Sequence, residues 1–301
     1  MGKILLIDAY SQIYRLFFAI RMLNNPAGEP VNALYGMARL FLQLDELFPA
    51  DFGALVFDLG KCSRRTALLP EYKAQRPPMP DALRAQTGPI RKWAEAFGWH
   101  IVQREGFEAD DLICGIVSER GGHQASILSA DKDLYQLLKD GEVSMIVKGP
   151  APKIPWSLAG EAAALEKFGV KPEQLGDYLA LLGDSSDNIP GIPGVGPKTA
   201  VKLLQEHGDL AHLAQELDSV SPEKLRRSLS ENAAMLLRNR SLVQLDKVLP
   251  EGWSGLESIR RRQPDWRLLE AMAEEEGFGS LKETIAKRRA AGEVPTQGML
   301  F

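Results

Sequence analysis

Lys3-Ile4-Leu5-Leu6-Ile7-Asp8 is the stretch on which the reading of the fold turns. Four aliphatic residues in a row, too few for a signal sequence and ended by a carboxylate, read as a first β-strand. Working outward, short β-rich apolar runs recur at 52–58, 99–103, 125–130 and 143–147, with longer helix-compatible stretches between them. Such alternation predicts an α/β fold with a mainly parallel central sheet covered by helices. Three runs end in or beside Asp8, Asp58 and Asp131. Ligands of open α/β sheets bind at the carboxyl ends of the strands, so one edge of this sheet is expected to be acidic.

With 301 residues, 45% apolar and 25% charged, the chain has material for a core domain and a smaller second one. Cys62 and Cys114 are too few for a disulfide framework and lack zinc-site spacing, which suits a reducing cytoplasm. No basic leader precedes the first strand, no run approaches the ~20 apolar residues of a membrane span, and Gly2 lacks the Ser or Thr of a myristoylation signal. A soluble cytoplasmic protein without a membrane partner is expected. The net charge of −4 argues at face value against a polyanionic partner. Nine acids converge on one reading below, however, and removing them from −4 leaves +5 for the rest of the surface.

Around 71–92 the chain turns basic and proline-hinged: between Lys61 and Lys92 stand eight Lys or Arg against two acids, with Pro77-Pro78 and Pro80 in the middle. After about Lys171 strand patterns stop and helical ones continue, interrupted by Gly191-Ile192-Pro193-Gly194-Val195-Gly196-Pro197. The stretch 288–298 is small, polar and weakly patterned. The expected organisation is a core at 1–170, a helical domain at 171–287 and a mobile tail at 288–301.

Acids cluster at element ends. Glu108-Ala109-Asp110-Asp111 opens a helix whose apolar face is Leu112, Ile113, Ile116 and Val117, Asp131-Lys132-Asp133 follows a strand, and Asp184-Ser185-Ser186-Asp187 follows a helix. Any one cluster reads equally well as dipole-complementing or solvated acid. Together with Asp8 and Asp58 they form a set that surface solvation does not require. So many carboxylates in one cleft repel unless cations sit between them, and oxygen-only ligands select hard ions such as magnesium or manganese. Two ions about 4 Å apart activate water and stabilise the leaving oxygen in phosphodiester cleavage. The four histidines, at 100, 123, 207 and 212, are scattered.

On Glu71-Tyr72-Lys73-Ala74-Gln75-Arg76-Pro77-Pro78-Met79-Pro80, Phe107-Glu108-Ala109-Asp110-Asp111, Ser129-Ala130-Asp131-Lys132-Asp133 and Gly183-Asp184-Ser185-Ser186-Asp187-Asn188-Ile189-Pro190-Gly191, the chain resembles the bacterial and phage 5′ nucleases. These include the 5′-nuclease domain of bacterial DNA polymerase I and are relatives of the flap endonucleases. The match runs over roughly 3–208. The resemblance implies a PIN/5′-nuclease-like α/β core with a helical arch at about 71–93, and a helix-three-turn-helix DNA-binding element at about 172–207. It implies a structure-specific 5′ nuclease, 5′–3′ exonuclease and 5′-flap endonuclease, serving primer removal, replication and repair beside the nucleoid.

Two magnesium ions are implied, with manganese as a substitute: Asp8, Asp58, Glu108, Asp110, Asp111 and Asp131 around the first, Asp133, Asp184 and Asp187 at the second. Lys73 and Arg76 would meet the scissile phosphate at the base of the arch, completing a catalytic set with Asp8, Asp58 and Asp110. Tyr72 would stack on a base, and Arg84 joins the DNA contacts. Gly194, Gly196, Lys198, Thr199 and Lys202 would grip duplex backbone: glycines admit a phosphate to the backbone amides, Pro197 suits the first helical position, and the helix terminus favours the anion. A potassium ion bound by carbonyls of this loop is also implied. The substrates would be DNA with 5′ ends, 5′ flaps or RNA primers.

Two departures stand out. Ala9-Tyr10 replaces the usual Gly-Asn or Gly-Ser, and the segment 59–65 lacks an aromatic residue before its arginine. Neither removes a metal ligand; both bear on how the 5′ nucleotide is held. No polymerase domain is present, so a free-standing, monomeric nuclease is expected. Gln297-Gly298-Met299-Leu300-Phe301 resembles the peptide that docks bacterial replication proteins on the sliding clamp, through Gln297, Leu300 and Phe301. Two other readings stay open: a catalytically weak DNA-junction binder, which the filled acidic positions disfavour, and a PIN-type ribonuclease, which the segment 183–202 disfavours.

Overall fold

The computed structural model of the chain describes residues 1–151 and 154–293. The strands are β1 (Lys3–Asp8), β2 (Phe52–Val56), β3 (His100–Val102), β4 (Gln124–Leu128), β5 (Val143–Ala151) and β6 (Ile154–Ala159). The helices of the first half are α1 (Ala9–Ala19), α2 (Asn32–Leu47), α3 (Ser63–Leu68), α4 (Asp81–Ala96) and α5 (Ala109–Ser118). There follow α6 (Glu161–Phe168), α7 (Leu175–Leu182), α8 (Pro197–His207), α9 (Leu210–Gln215), α10 (Glu223–Glu231), α11 (Ala233–Val243), α12 (Trp266–Glu275) and α13 (Gly279–Glu293).

One sheet carries all six strands in the order β3-β2-β1-β4-β5-β6, parallel except for β6. In β1 the side chains alternate between two cores. Ile4 and Leu6 face the one that contains Leu112, Ile116 and Leu179, whereas Leu5 and Ile7 face the one that contains Phe41, Trp93 and Phe97. Burial on both faces is why the run shows no polar alternation. The chain leaves β1 toward β2 on one side and reaches β4 on the other, so the crossovers part between β1 and β4. That parting opens a crevice at the carboxyl ends of these strands.

Four expectations need correction. β6 was not anticipated, because Pro150, Pro152 and Pro155 argue against a strand; as an edge strand it tolerates Pro155, the one of the three that it contains. The arch is short: 71–80 holds neither helix nor strand, and α4 returns to the core by burying Leu83, Ile90 and Trp93. The helical segment does not act as one unit up to 287. Leu269, Ala273, Phe278, Leu281 and Ile285 of α12, α13 and their junction pack into the core of the α/β part. The chain is led there by Arg261, which donates to Asp45 and to the carbonyls of Phe97 and Gly98. Gly98 lies so close to this segment that a Cβ would fall 2.0 Å from the Arg262 carbonyl oxygen. Finally, 288–293 belong to α13, where Arg288 and Arg289 pair with Glu46 and Glu270; Gln297, Leu300 and Phe301 lie outside the described residues. Among the described residues no helix is long and apolar enough to cross a membrane.

Candidate active site

The crevice at the ends of β1, β2 and β4 is a cavity of about 450 Å³ lined by Asp8, Asp58, Asp110, Asp131, Lys73 and Arg76 together with Tyr10, Ser11, Tyr14 and Met79. Each carboxylate is set by its element. Asp8 ends β1 and caps α1, with Oδ1 accepting from the Ser11 N–H at 3.1 Å and Oδ2 from the Ser129 hydroxyl at 2.6 Å. Asp58 follows β2 and accepts the Ala109 N–H at 2.8 Å, tying the strand to the start of α5. Asp131, after β4, accepts the Asp133 N–H at 2.8 Å while its own N–H goes to Ser129. Asp110 sits in the first turn of α5.

Burial and mutual repulsion push these groups up. Asp8 is raised to about 7, by desolvation first and then by Asp58. Asp58 and Asp131 are raised mainly by burial, and Asp110 stands well above its ordinary range through burial and then Asp131, Asp8 and Asp58. Next to them, burial and Asp131 raise Asp133 to about 8, and its Oδ1 is buried without a hydrogen-bond partner. Raised carboxylates sharing a cavity, with an orphaned carboxylate oxygen beside them, fit one or more hard divalent cations. Asp184 moves the other way. Burial raises it, but Lys132 Nζ at 2.8 Å and Ser186 outweigh that and hold it low.

The cations are placed with equal care. Lys73 Nζ donates to Glu108 at 2.7 Å and lies 3.7 Å from Asp187; Arg76 Nη2 donates to Asp187 at 2.6 Å. Among the described residues Lys73 and Asn188 are the non-glycine residues with positive φ, 54° and 60°, and they hold the segment 71–76 against the loop that carries Asp187: Lys73 N–H donates to the Asp187 carbonyl and Asn188 Nδ2 to the Glu71 carbonyl. Backbone strain of this kind costs about 1–3 kcal/mol per residue and concentrates at working sites.

Three of the residues expected around the first ion or at the substrate stand elsewhere: Glu108 does not line this cavity, its Oε1 accepting from Lys73 and its Oε2 from Arg65 and Tyr72, and Asp111 and Tyr72 are turned away as well. Asp111 is fully buried, gripped bidentately by Arg65 at 2.6 and 2.8 Å and bonded to the Asp246 N–H. Consecutive helical positions point about 100° apart, so the two neighbours in one acidic run face different surroundings. Tyr72 is buried too, its hydroxyl on Glu108 and Asp187, each at 3.0 Å, and so has no face for a base. Cys62, Glu108 and Asp111 lie close enough together for a metal, but Arg65 Nη1 already occupies their centre. Ser11, Ser129 and Lys132 were missed. The two serines beside strand-end acids could have been found as caps, whereas Lys132 gave no signal apart from its acidic neighbours.

A second cavity, about 670 Å³, brings Gly194, Lys198, Thr199 and Lys202 together with Lys224 of α10. Gly196 caps α8, Pro197 is its first residue, and Gly194 has φ +83°. Arg84 is exposed on α4, where its Nη2 donates to the Met79 carbonyl.

Comparison with known proteins agrees with this geometry. Residues 3–169 match the 5′-3′ exonuclease N-terminal resolvase-like domain, and 170–267 match the 5′-3′ exonuclease C-terminal SAM fold. The thermostable DNA polymerase I of Thermus thermophilus is 38% identical over 300 residues, and DNA polymerase I of Bacillus subtilis 34% over 297, covering 98% and 97% of this chain. The chain spans about a third of the length of these relatives, 34% and 33%. Among solved structures, the T5 D15 protein co-crystallised with metal ions superposes with a TM-score of 0.66 at 20% identity over 95% of this chain and 98% of that one. The catalytic core of Rad2 in complex with DNA substrate gives 0.57 at 14%, over 91% and 86%. With both domain matches in sequence and an acidic crevice at the sheet's switch point, the chain belongs to the 5′-3′ exonuclease family.

Proposed function

We propose that the protein hydrolyses phosphodiester bonds at 5′ ends and 5′ flaps of DNA, with RNA primers among its substrates, in replication and repair. The observation that carries this is the convergence of Asp8, Asp58, Asp110 and Asp131, from four separate chain segments, with Lys73 and Arg76 in one cavity. Magnesium ions held by these four carboxylates, and by Asp133, Asp184 and Asp187 beside them, would supply Lewis acidity and a nucleophilic water. The protein's own groups do the rest. Lys73 and Arg76 present fixed positive charge where phosphate charge develops, and Glu108 and Asp187 hold both side chains in place beforehand. Ser129 and the Ser11 amide aim the Asp8 carboxylate.

Lys198, Lys202 and the start of α8 would hold duplex backbone without reading sequence, and the Gly194 loop is where a potassium ion would sit. The carboxyl-terminal Gln297, Leu300 and Phe301 would tether a monomeric nuclease to the sliding clamp in the cytoplasm. The test is cleavage of a 5′-flap substrate, with 5′- and 3′-labelled copies, in magnesium, calcium and EDTA. Cutting near the flap junction in magnesium alone is expected; tight binding in calcium with no cutting in magnesium would instead favour the junction binder.

A further inference from the structure

Arg65 of α3 is 2% exposed, and every one of its N–H groups is engaged. Nε donates to the Leu242 carbonyl at 2.9 Å; Nη1 to Glu108 at 2.9 Å and Asp111 at 2.6 Å; Nη2 to Asp111 at 2.8 Å and to the Gln244 carbonyl at 3.2 Å. Leu242 lies in the last turn of α11 and Gln244 just past it, in the helical part that also carries α8 and α10. Glu108 in turn holds Lys73 Nζ at 2.7 Å and accepts from the Tyr72 hydroxyl. One guanidinium therefore joins the end of α11 to the carboxylate that fixes the cavity lysine. Glu108 has two anchors, and Arg65 is the one that comes from outside the segment it controls.

We infer that Arg65 is a positioning residue for phosphodiester cleavage: by clasping the end of α11 and Glu108 together, it sets Lys73 at the reacting phosphate only when the helical domain is seated. This rests on the reading of Lys73 as a phosphate-facing cation. Lysine cannot replace Arg65, because the fork that spans two carboxylates and two carbonyls needs five donors in fixed directions. Arg64 provides the contrast. It binds the same stretch, through Asp246 and the Ser241 carbonyl, without reaching Glu108.

The experiment is a double-mutant cycle on single-turnover cleavage of a 5′-flap substrate, with DNA affinity measured in calcium. K73M alone is expected to slow cleavage; cleavage at the wild-type rate would refute the reading of Lys73 itself. R65K is expected to slow cleavage about tenfold in the wild-type background and less than about threefold in the K73M background, the size of effect typical of groups that orient an active-site residue. Its affinity should stay within about twofold, and R64A should keep the wild-type rate. Equal losses from R65K in both backgrounds, or a loss of affinity in place of rate, overturn the inference. Should R65K melt below the assay temperature, the charge-balanced pair R65M/D111L, which leaves no buried unpaired ion, replaces it in the same cycle with the same criteria.

Discussion

Asp8→Asn separates the two costs of an acidic cavity. Both oxygens of Asp8 accept hydrogen bonds, one of them capping α1, and asparagine caps a helix as well as aspartate does. The variant keeps the shape and loses the charge. In the ion-free protein, burial and the nearby Asp58 hold this carboxyl at about 7 against an ordinary 3.8. Folding favours its neutral form, so its contribution is complete below pH 3.8, fades as pH rises, and is gone above 7. A displacement of that size is worth about 4 kcal/mol. Burying an amide in place of the carboxyl still costs part of the desolvation that heads this displacement, so about half, roughly 2 kcal/mol, is expected from a single substitution. At about 2 °C per kcal/mol for a chain of this size, D8N should melt roughly 4 °C above wild type at pH 8 in EDTA, with the gap closing toward pH 4. Saturating magnesium should reverse the order, because wild type then gains more from the bound cation. Thermal melts followed by circular dichroism at fixed ionic strength decide it: a D8N protein that melts at or below wild type in EDTA at pH 8 would refute the reasoning.

Asp131→Asn and Asp184→Asn should each lower flap cleavage in magnesium by about two orders of magnitude or more while sparing DNA affinity in calcium; wild-type rates for both would end the metal assignment. Lys198→Ala and Lys202→Ala should weaken duplex binding uniformly across sequences and reduce the slope of log affinity against log salt by about 0.9 each, a slope that stays unchanged if these lysines face solvent in the complex. Cleavage should climb between pH 6 and 8 as Asp8, near 7, and Asp133, near 8, shed protons in favour of cations; a rate that is flat over this range counts against a role for both. Deleting the last five residues should abolish retention on immobilised sliding clamp and leave cleavage of short flaps intact, so equal retention removes the tail motif.

The parts of this molecule legible in the sequence are those governed by local pattern. A strand buried on both faces, such as Ile4 to Ile7, cannot hide, and acids placed at strand ends announce a sheet edge. What stayed hidden depends on direction and on partners. Asp110 and Asp111 are neighbours in sequence, yet one turns to the cavity and the other to Arg65. Tyr72 precedes Lys73, but its ring turns inward, with its hydroxyl on Glu108 and Asp187. α12 and α13 read plainly as helices, and nothing in their own residues says that they cover Phe97 and Trp93 rather than α11. The prolines around β6 mislead because a rule written for central strands relaxes at an edge.

The order in which the acids occur along the chain has a consequence for synthesis. Asp8 is made before its cavity partners at 58, 110 and 131, before the Asp187 loop that anchors Lys73, and well before Leu269 to Ile285, which close one core. A fragment that stops short of residue 131 lacks one of the four cavity carboxylates, and one that stops short of 187 lacks the loop that anchors Lys73. The acidic cavity and the cations anchored beside it therefore cannot come together until residues far from Asp8 in the sequence have been made.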